Sequence, residues 1–256
     1  MMGDWRPVLA AYPPEKRQWD RTFPWIYYGA RPLSFPLTWL ALRLRLTPNQ
    51  VTLLSLLAGV GAFVLMSSGG SRLVVGSCFF ALLNVLDCVD GNLARLRRQE
   101  SPAGKFYDVA VGLLFYLVYV ALGLGLYRTP DLSLSLVLAP LGLGGPEPVT
   151  YLLLGTAATL SRYLGLQIQH LFHGLLGSSW EEKKAREKVV PPPRRWYYRL
   201  YHNVTDVQAQ DPILIAAAAT GLAGLFLALS AAVQVLNLFA LVGLYIRRAR
   251  ALDRRS

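Results

Sequence analysis

Charge is scarce in this 256-residue chain: Asp, Glu, Lys and Arg make up 16% of it, while hydrophobic residues make up 54%. Soluble domains carry about a quarter of their residues as charges, so lipid must cover part of this surface. Cysteine is scarcer still. Cys78 and Cys88 stand ten residues apart on one predicted helix, about 15 Å along its axis, which is beyond disulfide reach, and both are expected as buried thiols. The first 30 residues lack a continuous apolar run after a basic start, so no cleavable signal peptide is expected and the first span directs insertion. Internal repeats and a separate soluble domain are missing as well.

What the chain has instead is apolar runs of crossing length, which takes about 20 helical residues. Six are expected, over 51–69, 73–96, 103–127, 149–176, 210–229 and 231–248. The predicted fold is an all-α polytopic membrane bundle of six transmembrane helices with an N-terminal interfacial amphipathic helix. It divides into a cytoplasmic or interfacial segment over 1–46, the transmembrane domain over 47–250 and a cytoplasmic tail over 251–256.

The net charge of +11 raises nucleic acid as a partner, but its distribution argues against that. All of the 26 basic residues except Arg72, Arg128 and Arg162 lie in the N-terminal 50 residues, in alternate connections or in the C-terminal tail. The positive-inside rule then puts both termini and the two basic loops in the cytoplasm.

Prolines and aromatics in residues 1–30 suit a peptide on the membrane surface, with no regular structure expected. From Pro32 to Leu46, apolar residues alternate with Arg43 and Arg45 around Trp39, as in an interfacial helix. Thr47, Pro48 and Asn49 then mark a helix start. Gly59 and Gly61, flanked by Ala58 and Ala62, offer a narrow face for helix packing. The stretch over 128–148, with Pro130, Pro140 and Pro146, reads as an outer loop. A mixed-charge helical run from Glu181 to Lys188 and prolines 191–193 read as a cytoplasmic excursion. Asn203-Val204-Thr205 matches a glycosylation acceptor but falls on that cytoplasmic side.

Asp87 and Asp90 interrupt the second run, which has no Lys or Arg between Arg72 and Arg95. Acids inside a span are costly and point to function. Their i, i+3 spacing puts them on one helical face, where their oxygens can converge on a divalent metal. Gly91 and Ala94 remove bulk beside that face, and Arg95 follows. Across a short basic loop, Gly104 and Lys105 open the third span and Asp108 stands one turn deeper. With spans two and three running in opposite directions, the three aspartates can meet near the cytoplasmic face. Oxygen donors select a hard cation, Mg²⁺ or Mn²⁺, with a phosphorylated ligand.

Asp87, Asp90, Gly91, Ala94, Arg95, Gly104 and Asp108, at these spacings, resemble the signature of the CDP-alcohol phosphotransferase family. The segment Thr47 to Thr52 is similar to the one that opens the first span in that family. The resemblance implies a six-helix bundle, a CDP-alcohol donor such as CDP-diacylglycerol, two divalent metals and attack by an acceptor alcohol with release of CMP, in phospholipid synthesis. It makes Asp87, Asp90 and Asp108 metal ligands, and adds Thr52, Gly91, Ala94, Arg95 and Gly104 to the nucleotide site. A homodimer suits it too.

The family signature ends on a fourth aspartate, read as metal ligand and base; here Gly112 occupies that position. The alternative is therefore a catalytically weak homologue that binds CDP-alcohol or lipid. Arg162, in mid-span four, reads with Lys105 as a pocket for an acceptor or a phosphate, or else as a buried structural pairing. His170 and His173 read as interface anchors or as a substitute base. A transporter fits the buried acids, but Arg95 and its small neighbours suit a nucleotide better, and no repeat symmetry is visible.

Overall fold

The computed structural model describes residues 6–98, 102–175 and 196–253, with the backbone alone at positions 102, 103, 105, 108, 175, 252 and 253. The regular structure of these residues is helical. The run from Glu181 to Lys188, prolines 191–193 and the end of the tail lie outside the described residues.

The N-terminal segment is ordered, contrary to the expectation of no regular structure. Helices α1 (Arg6–Ala10) and α2 (Pro14–Asp20) and a π-helical turn (Ile26–Ala30) lead into α3 (Arg31–Arg43). Pro13 and Pro14, which suggested irregularity, instead open α2, where a proline loses no helical hydrogen bond. The segment closes on a buried knot: Arg31 Nε donates to Asp20 Oδ2 at 2.7 Å, and the Tyr12 hydroxyl donates to the same oxygen at 3.1 Å. The Arg31 guanidinium also lies over the Tyr12 ring, 5.2 Å from its centroid. A helix thus stands where an interfacial one was expected, but its buried face carries Ser34, Thr38 and Ala41, while Leu33 and Leu40 point outward.

Helix α4 (Pro48–Ser67) begins at the expected cap: Thr47 Oγ1 accepts from the Gln50 amide at 3.3 Å, and Gln50 Oε1 accepts from the Thr47 amide at 2.8 Å. Its antiparallel neighbour α5 (Arg72–Arg97) packs along its whole length. At Gly76 the two backbones lie close together: a Cβ there would stand 2.7 Å from the Met66 nitrogen and 3.0 Å from the Ala62 oxygen. Gly59 and Gly61, the glycines singled out in the sequence, face side chains instead, those of Leu114 and Phe79. The third run comprises α6 (Pro102–Gly112), a 3₁₀ turn (Leu113–Leu117) and α7 (Val118–Arg128). The connection after α7 carries α8 (Ser133–Leu138) and leads to α9 (Pro148–Leu175). Helices α7 and α9 cross backbone to backbone at Gly123 and Gly155.

The C-terminal third is α10 (Trp196–Thr205), α11 (Asp211–Thr220) and α12 (Ala223–Asp253). The expected turn near residue 230 is displaced, and the expected fifth span over 210–229 shrinks to ten residues. Gly221, with φ 72°, ends α11 in the left-handed region that favours glycine. Asp131 Oδ2 then accepts from the Gly224 amide at 2.8 Å and Ser133 Oγ from the Leu225 amide at 2.9 Å, which fixes the start of α12.

Among the described residues, four helices are long and apolar enough to cross a membrane: Pro48–Ser67, Arg72–Arg97, Val109–Arg128 and Ala223–Ala251. Met66, Leu83, Phe115, Tyr119, Leu122 and Tyr151 fill the centre of the bundle. Leu57, Leu132, Leu153, Leu236 and Phe239 project from its outside, as a lipid-facing surface requires. Both cysteines are free, as expected, but only Cys88 is buried. Cys78 is exposed because it lies on the side of α5 turned away from α4.

Candidate active site

The start of α4 and the last three turns of α5 build the site. Asp90 is buried, with 7% of its surface exposed. Thr52 Oγ1 lies 2.8 Å from Asp90 Oδ2 and 3.1 Å from the Pro48 carbonyl one turn earlier on α4, so the hydroxyl stands between its own helix and the carboxylate. Asp87 stands one turn earlier on α5 and is half-buried. Two carboxylates one turn apart in an apolar bundle are an all-oxygen donor pair, which fits a hard cation such as Mg²⁺ or Mn²⁺.

Arg95 folds back along α5 over Gly91. A Cβ on Gly91 would lie 3.4 Å from Arg95 Nη1, an ordinary contact distance, so the guanidinium rests against the turn that carries the acids. Arg95 Nη2 donates to Asn92 Oδ1 and Arg95 Nε to the Ala11 carbonyl, each at 2.7 Å. Lys16 is close by on α2. Burial pushes its ammonium below its usual pKa, the charges of Arg31 and Arg95 add to that, and Asp20 opposes it. The N-terminal segment thus brings Lys16 within electrostatic reach of Arg95 and Cys88 on α5. Ala94 is half-buried on the next turn.

Across the site, α6 packs against α4 and brings Gly104, half-buried, to its first turn. Lys105 and Asp108 lie on this helix, but their side chains fall outside the described residues. Among the described residues no three His, Cys, Asp or Glu side chains gather as a metal site. Gly112 closes α6, and a Cβ there would meet nothing within 4 Å. Space is therefore not the reason this position lacks a carboxylate.

Arg162 sits on α9 beside the turn that follows Gly112. Its guanidinium lies 5.3 Å from the Tyr116 ring centroid, and its Nε is buried without a hydrogen-bond partner. Thr159 Oγ1 donates to the Tyr116 carbonyl at 3.0 Å and the Tyr163 hydroxyl to the Leu113 carbonyl at 2.9 Å, locking α9 to this turn. His173 packs edge-on against Tyr245, with ring centroids 6.2 Å apart, and His170 is exposed.

Sequence reasoning passed over Asn84, Asn92 and the N-terminal contacts. Asn84 Nδ2 donates to Asp211 Oδ2 at 3.1 Å, which Trp25 Nε1 also reaches at 2.8 Å. Asn92 Nδ2 donates to Ser34 Oγ at 3.3 Å and to Thr38 Oγ1 at 3.2 Å. The available signal was two amide side chains in the same span as the acids; nothing in the sequence pointed to the Ala11 carbonyl.

Apolar helices of crossing length around a buried carboxylate define a helical membrane protein with a polar site inside one end of its bundle. Residues 45–167, a segment that holds Asp87, Asp90 and Arg95, match the model of the CDP-alcohol phosphatidyltransferase family. A curated relative, the bifunctional IPC transferase and DIPP synthase of Rubrobacter xylanophilus (strain DSM 9941 / JCM 11954 / NBRC 16129 / PRD-1), is 40% identical over 67 residues. That match covers 26% of this chain and 15% of the relative.

The Thr52 contact yields a direct test. Thr52→Val keeps the shape but removes the donor to Asp90, and hydrogen bonds to charged groups contribute about 1.5–3 kcal/mol. Thermal unfolding in detergent should show a loss of that order. Unfolding identical to the parent would mean that the bond does not hold α4 to α5.

Proposed function

We propose that the protein transfers the phosphoalcohol group of a CDP-alcohol, such as CDP-diacylglycerol, to an acceptor alcohol and releases CMP, as a step of phospholipid synthesis. The observation that carries this reading is the turn of α5 on which Asp87, Asp90, Gly91 and Arg95 lie together, inside the segment that matches the family. The acceptor hydroxyl oxygen bonds to the β-phosphorus, the bond from that phosphorus to the CMP oxygen breaks, and the hydroxyl proton passes to a base.

Asp87, Asp90 and Asp108 would hold Mg²⁺ or Mn²⁺, which supplies neutralisation of the phosphate charge. Thr52 keeps the Asp90 carboxylate turned toward the site. Gly91, Ala94 and Gly104 let the nucleotide approach the backbone, and Arg95 binds a phosphate oxygen. Lys105 and Arg162 receive the acceptor or its phosphate. The unpartnered Nε of Arg162 leaves a donor for this role, while its charge also acts on the buried carboxyl of Asp206.

The site faces the cytoplasm, as do both termini; the concentration of basic residues in alternate connections supports this. Six crossings keep both ends on one side. The four long apolar helices would be joined by α9, long enough at 28 residues, and by the ten residues of α11 with the four-residue 3₁₀ turn Val207–Gln210 before it, a stretch shorter than the usual crossing length. Cysteines placed singly at Pro140 and Arg250 in a cysteine-free background should label from the outer and inner side respectively; the reverse would overturn this orientation.

A second reading, a binding protein with weak or no turnover, is favoured by Gly112, which leaves the family's base position without a carboxylate. Both readings predict metal-dependent binding of the donor, and they divide on CMP release. Purified protein with Mg²⁺ or Mn²⁺, a panel of CDP-alcohols and a panel of acceptors should release CMP, and Asp90→Ala should cut that release by about a hundredfold or more. Gly112→Asp fits the open space and should raise the rate if the missing base limits it. No release from the parent, with release restored in Gly112→Asp, selects the second reading. No release and no donor binding by either protein contradicts both.

A further inference from the structure

Arg95 is held from two directions by groups that lie outside the family signature. On α5 itself, Asn92 Oδ1 accepts from Arg95 Nη2 at 2.7 Å. Asn92 is fully buried, and its amide nitrogen donates to the hydroxyl oxygens of Ser34 and Thr38 on α3. Those hydroxyls are themselves fixed: Ser34 Oγ donates to the Arg31 carbonyl at 2.8 Å and Thr38 Oγ1 to the Ser34 carbonyl at 2.7 Å. From the other side, the Ala11 carbonyl accepts from Arg95 Nε at 2.7 Å. Ala11 precedes Tyr12, which is tied into the buried Asp20–Arg31 knot.

An arginine on a helix end has several rotatable bonds and ordinarily loses much freedom on binding an anion. Here that freedom is already gone. The guanidinium is fixed over Gly91 with two nitrogens engaged by the protein, and an anion placed against it meets donors at set positions. Asn92 does not need to touch the ligand for this. It passes the rigidity of α3 to Arg95.

We propose that Asn92 is a positioning residue for the nucleotide phosphate site, and that the N-terminal segment through α3 acts as the frame that presets the Arg95 guanidinium. This rests on the reading of Arg95 as a phosphate-binding residue of a CDP-alcohol site. The segment over residues 11–38 then belongs functionally to the site, although it precedes the segment that matches the family.

A double-mutant cycle read by CDP binding, with Mg²⁺ present and the full chain in detergent, tests this. Outer partners of a binding residue are typically worth about tenfold or more in affinity. Asn92→Leu should weaken CDP by about that factor, and Arg95→Ala should weaken it at least as much. Asn92→Leu in the Arg95→Ala background should add nothing, because Asn92 acts only through Arg95. Additive losses would mean that Asn92 has a merely structural role and would overturn the proposal, as would parental CDP affinity in Asn92→Leu. If Asn92→Leu does not fold, Thr38→Val carries the test, since it removes one of the two hydroxyls at Asn92 and leaves the Arg95 contacts in place. Weaker CDP binding supports the proposal and unchanged binding overturns it. Parental CDP affinity in Arg95→Ala, or no CDP binding by the parent, would instead overturn the reading of the site itself.

Discussion

Asp90 places a carboxylate where α4 and α5 press together, and the surrounding architecture is organised around that burial. A buried charge is several kcal/mol unfavourable unless its lone pairs are matched. Thr52 supplies one match at 2.8 Å, and it can do so only because α4 starts where it does. The capping box at Thr47 and Gln50 sets that start, and at the other end of the pair the bare backbone of Gly76 lets α5 lie against the backbone of α4. Asp87, one turn away, doubles the negative charge. Such a pair calls for positive charge, from a cation in the site and from Arg95 folded back over Gly91.

The N-terminal segment answers the same demand from outside the bundle. Its own ion pair, Asp20 with Arg31, is buried and anchors a loop whose Ala11 carbonyl meets Arg95. Lys16 comes with it, on the same face of α2 as Asp20 because the two are four residues apart. The end of α5 therefore carries Arg95 on the turn after its carboxylates and meets the N-terminal segment, an element far apart in sequence. This arrangement suits a ligand that carries phosphates and is held partly by metal and partly by guanidinium. Gly112, at the end of α6, has open space around it.

Much of this was legible in the sequence, for identifiable physical reasons. The Thr47 cap and the acids at 87 and 90 are local signals, carried by adjacent residues, and the structure has the helix starts and the shared face that they predict. Close approaches are not local. Gly76, Gly123 and Gly155 matter because of which backbone lies opposite them, whereas Gly59 and Gly61 looked more suggestive as a cluster. The break at Gly221 was hidden because the chain is almost uniformly apolar from 212 to 246, so hydropathy offers no minimum there; the stop comes from a single left-handed glycine and the start from Asp131, ninety residues earlier. Residues 6–30 appeared irregular because their prolines break periodicity, yet Pro13 and Pro14 begin a helix. Their order comes from polar contacts with α3, α5 and α11, which no periodicity records. Asn92 was overlooked because an amide beside two aspartates attracts less attention than the acids do.

The claim on which the rest stands is that the turn of α5 bearing Asp87 and Asp90 holds a divalent cation together with a cytidine nucleotide. Titration of Mn²⁺ into the purified protein, followed by the loss of the free-ion electron paramagnetic resonance signal with and without CDP, measures this directly. The account predicts saturable Mn²⁺ binding that CDP strengthens and that Asp90→Asn abolishes while the protein stays folded. Equal Mn²⁺ binding by Asp90→Asn and the parent, unaffected by CDP, would contradict it.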